Sequence, residues 1–125
     1  MAIFQVVESD LYARNAGEDL SSSLHLLAHV DTDGDIVAAG AGDVALGSIY
    51  EAAGANLPVT VQCGGIMKVK VGTGGITAGQ GVKPEAGGTG VAGTAAGNIN
   101  VGIALTSGDA DDIIPVKWYP HTIHA

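Results

Sequence analysis

Charge is what this sequence has least of, and positive charge above all. Only 14% of its 125 residues are charged, against about 25% in an ordinary soluble domain. The basic residues are Arg14, Lys68, Lys70, Lys83 and Lys117; 13 acidic ones outnumber them, for a formal net charge of −8. A nucleic-acid binder needs a basic stripe to displace counterions from phosphates, so direct contact with DNA or RNA is not expected. The same deficit argues against an anionic membrane surface. Cys63 is the single cysteine, which excludes an internal disulfide and a cysteine-based zinc site. No hydrophobic run reaches the roughly 20 residues of a spanning helix. No basic segment followed by an apolar stretch opens the chain, so the expectation is a protein made and kept in a reducing cytoplasm, or joined to an assembly built there.

What the chain does have is 20 glycines and an apolar fraction of 46%, rich in Ala, Val and Ile. That is enough for a modest core, and the length fits one domain. Abundant Gly between short apolar runs predicts short strands and many turns.

The clearest feature is an internal repeat. Residues 42–50 resemble residues 97–105, an offset of 55 (97 − 42), and the offset carries Val59-Thr60-Val61 onto Ile114-Pro115-Val116. Ile99, Val101, Ile103 and Leu105 alternate with Asn100, Gly102 and Ala104, the period of a half-buried strand. Val44, Leu46 and Tyr50 take the same face. Val44/Ile99, Leu46/Val101, Val59/Ile114 and Val61/Val116 are thus expected as matching core faces, with Cys63 matching Trp118. Each unit reads as a strand, a loop of about eight residues and a second strand.

Further strands follow. Leu24 to Val30, with Leu24, Leu26, Ala28 and Val30 on one face, meets the turn Asp31-Thr32-Asp33-Gly34 and returns through Ile36 to Ala38, a hairpin. A helix from Leu20 capped by Asp19 or Ser21 is the competing reading; the hairpin explains the residues after the turn as well. Ile66 to Val71 places Met67, Val69 and Val71 on one face and Lys68 and Lys70 on the other. Residues 84–97 are expected as loop with one short strand near Val91. Ile3 to Val7 is a possible strand in an N-terminal arm, residues 1–19, ahead of a single β domain, residues 20–125. The fold class is all-β, a small barrel or sandwich with an internal strand-unit repeat.

No catalytic constellation emerges, and no enzyme, cofactor or metal is expected. Asp31, Asp33 and Asp35 open like a calcium loop, but an EF-hand needs Gly at its sixth position and Glu at its twelfth; here stand Ile36 and Gly42, and an acidic turn explains the run. His25 and His29, if on one strand, lie about 13 Å apart, too far to share an ion. His121 and His124 sit near the C-terminus without a His-Glu-x-x-His arrangement. No Gly-x-Ser-x-Gly elbow is present. Cys63 reads as a buried small hydrophobe. Met67-Lys68 is similar to the Met-Lys of biotinyl and lipoyl carrier domains, whose modified Lys stands at an exposed hairpin tip; here Lys68 falls inside an alternating strand.

The run from Val59 through Gly64-Gly65-Ile66-Met67-Lys68-Val69 resembles the core of a family of tailed-phage capsid cement, or head decoration, proteins. Ile76-Thr77-Ala78-Gly79-Gln80-Gly81-Val82, Val101-Gly102-Ile103-Ala104-Leu105 and Ile113-Ile114-Pro115-Val116 continue it in order. The resemblance spans roughly residues 24–118. It implies a β-barrel-like or β-tulip-like domain on the outer surface of an icosahedral virion, commonly a homotrimer bridging major capsid protein subunits. An extended arm would add a strand to a neighbour. Another structural virion module, of tail or baseplate, is the alternative alongside the carrier domain.

Overall fold

The computed structural model describes residues 7, 8 and 10–124. Among these the protein is all-β, with no helix that could cross a membrane. The strands are β1 (Val7–Glu8), β2 (Leu11–Asn15), β3 (Leu27–Val30), β4 (Ile36–Ala38), β5 (Gly47–Glu51), β6 (Pro58–Gln62), β7 (Gly65–Lys70), β8 (Gly81–Pro84), β9 (Gly90–Ala92), β10 (Ile99–Ala104) and β11 (Ile113–Thr122). They form two antiparallel sheets that are not closed into a barrel, in the orders β2-β6-β5-β3-β4 and β1-β7-β11-β10-β8-β9.

The repeat is larger than the sequence discloses. Five consecutive strands, β2 to β6, match the next five, β7 to β11, in order, pairing and register. Leu11↔Gln62 in one sheet becomes Ile66↔Lys117 in the other (66 − 11 = 117 − 62 = 55). Ile49↔Val61 becomes Ala104↔Val116 at the same offset. The hairpin pair Ala28↔Ala38 becomes Val82↔Ala92, shifted by 54 (82 − 28 = 92 − 38). The second unit is therefore one residue shorter between β7 and β8 than the first is between β2 and β3, and one residue longer between β9 and β10.

Turn chemistry repeats with the strands. The Gly34 amide donates to the Asp31 carbonyl and the Gly88 amide to the Glu85 carbonyl, each at 3.0 Å. Both glycines are left-handed, at φ 83° and 93°, where a Cβ would be strained. The Asp43 carboxylate caps the Gly40 amide at 2.7 Å, and the Asn98 side chain caps the Ala95 amide at 2.9 Å. These Asx bonds satisfy loop amides that the ladders cannot reach.

Each sheet buries its own apolar cluster. The first holds Ala16, Leu20, Ala28, Ile36, Ile49, Val59 and Val61; the second includes Met67, Val69, Val71, Val82, Val101, Ile114 and Val116. Leu27 of β3 crosses into the second cluster. The Trp118 indole donates to the Leu46 carbonyl at 3.1 Å, and the Lys70 amide to the His25 carbonyl at 3.0 Å. These contacts tie the units together. Fully burying a Val or Leu contributes about 1.5–3 kcal/mol, so the two clusters are the main stabilising term.

Several expectations hold. The 31–34 turn joins β3 to β4, Val59, Val61, Ile114 and Val116 are buried, and Val91 sits in β9. Met67, Val69 and Val71 face the core. Others do not. Val44 is 67% exposed and lies before β5, because Gly42 and the Asp43 cap hold that stretch as a turn; Ile99 is exposed too. The proposed apolar face of residues 24–30 fails at both ends, Leu24 and Val30 being exposed, since β3 begins only at Leu27. Within the arm, residues 7–8 and 11–15 are strands, one in each sheet. The strand expected from Ile3 lies outside the described residues apart from Val7.

Candidate interaction edge

The titratable residues singled out above are dispersed. Asp31 turns inward on its own loop: its carboxylate accepts from the Asp33 and Asp35 amides, each at 2.9 Å. His25 precedes β3 with a left-handed backbone, φ 69°, whereas His29 lies in β3, 3.3 Å from the Asp43 carboxylate. The two histidines thus share no strand face. His121 bonds to the Tyr119 carbonyl at 2.7 Å and to the Asn100 amide nitrogen at 3.2 Å, a pattern satisfied by a proton on Nδ1. Among the described residues no three His, Cys, Asp or Glu side chains gather into an ion site. Cys63 is half-buried rather than fully buried; its thiol donates to the Asp10 carbonyl at 2.8 Å. Burial, and secondarily the Asp10 carboxylate, push the thiol pKa up, which disfavours the reactive thiolate. Lys68 stands in mid-strand, opposite Pro115, and not at a hairpin tip.

A backbone feature is more informative. β2 and β7 are equivalent strands, each paired on one side with an equivalent neighbour, β6 or β11. Their other sides differ. On β7 that side is covered: Val7↔Ile66 and Glu8↔Gly65 add β1, and the Lys70 amide bonds to His25. On β2, among the described residues, it is bare along Leu11 and Ala13. The Asp10 carbonyl accepts from the Cys63 amide at 3.1 Å and the Ala16 amide donates to Leu57 at 2.9 Å, so both face β6. Amides alternate along a strand, so those of Leu11, Ala13 and Asn15 point away from β6. Among the described residues Ile36 of β4 reaches only the end of that side, bridging Ala16 and accepting from the Gly17 amide at 2.8 Å; Leu11 and Ala13 have no strand partner there.

All five residues of β2 are exposed, including Leu11 and Tyr12. On the equivalent strand the core positions Met67 and Val69 are fully buried; here Tyr12 and Arg14 replace them. Native edges are usually blunted by Pro, bulges or inward charges. The edge strands β4 and β9 are protected by being only three residues long. β2 has five residues and none of those devices except Arg14. An extended segment laid antiparallel along it would take up the outward backbone groups of Leu11 and Ala13 and cover the Leu11 side chain.

No sequence signal marks this edge. Leu11-Tyr12-Ala13-Arg14-Asn15 and Ile66-Met67-Lys68-Val69-Lys70 share no identical residue, so their equivalence is visible only in the register. No family model matches the chain, and no curated protein matches it.

Proposed function

We propose that this chain is a capsid decoration protein, which binds the outer surface of an assembled phage head as a homotrimer and stabilises it. The observation that carries the reading is the β2 edge, whose Leu11 and Ala13 have no strand partner on the outer side among the described residues and are poised to accept a strand. The ordered motifs of the resemblance agree with it. They fall on β6–β7, on the turn before β8, on β10 and on β11, the strands that make up the repeated frame. A net charge of −8 suits a protein that works outside a nucleic-acid-filled shell.

The mechanism is linkage. A ligand that binds only the assembled shell stabilises it by RT ln(1 + [L]/Kd), about 2.7 kcal/mol per site at one hundred times Kd. Many sites act together, so weak individual contacts suffice. The major capsid protein supplies the partner surface.

The test uses shells lacking the protein. The wild-type chain should co-sediment with them and raise their melting temperature. Ala13→Pro removes only an amide that points away from β6, so it should fold and fail to bind. Absence of co-sedimentation by the wild type, or undiminished binding by Ala13→Pro, would refute the reading. Labelling at a tail or baseplate in place of the head would support the other virion role.

A further inference from the structure

The two units serve as internal controls for each other: where the backbone repeats but a side chain differs, the difference marks something one unit does alone. A cluster of such differences gathers in the first unit. His25 and Gly79 are equivalent. Their amides donate to Ile49 and Ala104 at 3.0 and 2.8 Å, and both are left-handed, at φ 69° and 89°. Glycine adopts this conformation freely, whereas histidine does so against a steric penalty. Strain of this kind persists where the surroundings over-determine it, and it clusters at ligand sites. Ser48 stands where the second unit has Ile103, and Tyr50 where it has Leu105. With Gln62, Lys68 and the apolar Leu24 and Ile49 they line a recess of about 350 Å³.

We propose that this recess binds a small organic carboxylate. Lys68 carries the one full charge in the lining, which contains no Asp or Glu. It has no carboxylate within salt-bridge distance among the described residues, unlike Lys70, which lies 3.9 Å from Asp111. Ser48 is 2% exposed and lines the recess, where its hydroxyl can donate to a ligand oxygen. Burial, and then the Lys68 charge, hold the His25 pKa down, so at neutral pH the ring is an uncharged partner beside a cation. A carboxylate bound there would pair with the Lys68 charge and oppose its effect on His25. Leu24 and Ile49 offer a wall for a short alkyl chain. A phosphate, more highly charged and strongly hydrated, would find one cation and an apolar wall, a poor match.

The recess is read on the free protein, so the result is independent of shell binding. The whole chain is titrated with butyrate, with butyramide as the neutral isostere and with inorganic phosphate, following backbone amides by NMR. Butyrate should shift Leu24, His25 and Ile49 saturably with a Kd on the order of millimolar. Butyramide and phosphate should bind at least about tenfold more weakly. Lys68→Met should weaken butyrate about tenfold, and Ser48→Ile, which installs the second unit's residue, should weaken it too. Lys68→Gln replaces Lys68→Met if that variant fails to fold. No saturable shift with butyrate, butyramide or phosphate binding as tightly, or a Kd unchanged by loss of Lys68 would each overturn the proposal.

Discussion

Gly47→Ala tests the repeat at its tightest point. Gly47 opens β5, where the backbone passes so close to β6 that a Cβ would overlap the Gln62 carbonyl oxygen and lie 2.8 Å from its carbon. At the equivalent Gly102 a Cβ would overlap the Lys117 carbonyl oxygen and lie 3.1 Å from its carbon. The obstacle in both places is main chain of a paired strand, which cannot rotate away. β5 and β6 must part, weakening roughly two ladder bonds near Ser48↔Gln62 and Ile49↔Val61, at about 1 kcal/mol each. Loosened packing of Ile49, Val59 and Val61 adds about 1–3 kcal/mol. The expected loss is therefore about 3–5 kcal/mol, a large fraction of the roughly 5–15 kcal/mol typical of a native protein. Urea denaturation followed by Trp118 fluorescence and circular dichroism measures it. Gly102→Ala should lose a similar amount. Gly42→Ala is the control: its φ is 85° but nothing lies within 4 Å of its Cβ, so only the left-handed penalty applies, about 1–2 kcal/mol. If Gly47→Ala costs no more than Gly42→Ala, the close approach is wrong, and so is the strand register built on it.

Val61→Ala and Val116→Ala remove matched, fully buried side chains; each should cost about 2 kcal/mol in the same denaturation assay, with the two values close together. The Thr73 amide first, and the Thr89 hydroxyl second, hold the Glu85 carboxyl below its ordinary range. A depressed pKa contributes stability that is full above the unfolded value and lost as pH falls through the folded one. Glu85→Gln should therefore be less stable than the wild type near neutral pH, and urea midpoints for the two should converge in acid. With its pKa raised and its thiol bonded to Asp10, Cys63 should react with a chromogenic disulfide more slowly than an unfolded control at the same pH.

What the chain discloses by itself is local. Strict alternation marks Met67, Val69 and Val71 as core, because a strand sends successive side chains to opposite faces. Asp31 and Gly34 announce a turn through their own backbone preferences. The 55-residue offset is legible where apolar side chains kept their size, as at Val61 and Val116. Where a pattern leaned on neighbours distant in sequence, it misled. Val44 looks like a strand residue until the Asp43 cap is seen, and Leu24 looks like core until β3 is found to start at Leu27.

Sequence by itself therefore determined an all-β chain with a repeated strand unit, poor in positive charge and without a recognisable catalytic motif. Tertiary structure alone decided that β2 is the counterpart of β7, that β7 carries a further strand on its outer side where β2, among the described residues, has none along Leu11 and Ala13, and that His25, Ser48, Tyr50 and Lys68 meet at one recess. The reason is physical. Alternation and turn chemistry are properties of neighbouring residues, whereas register, edge exposure and a cavity arise from backbone hydrogen bonds between segments far apart in the chain, which side-chain identity constrains only weakly.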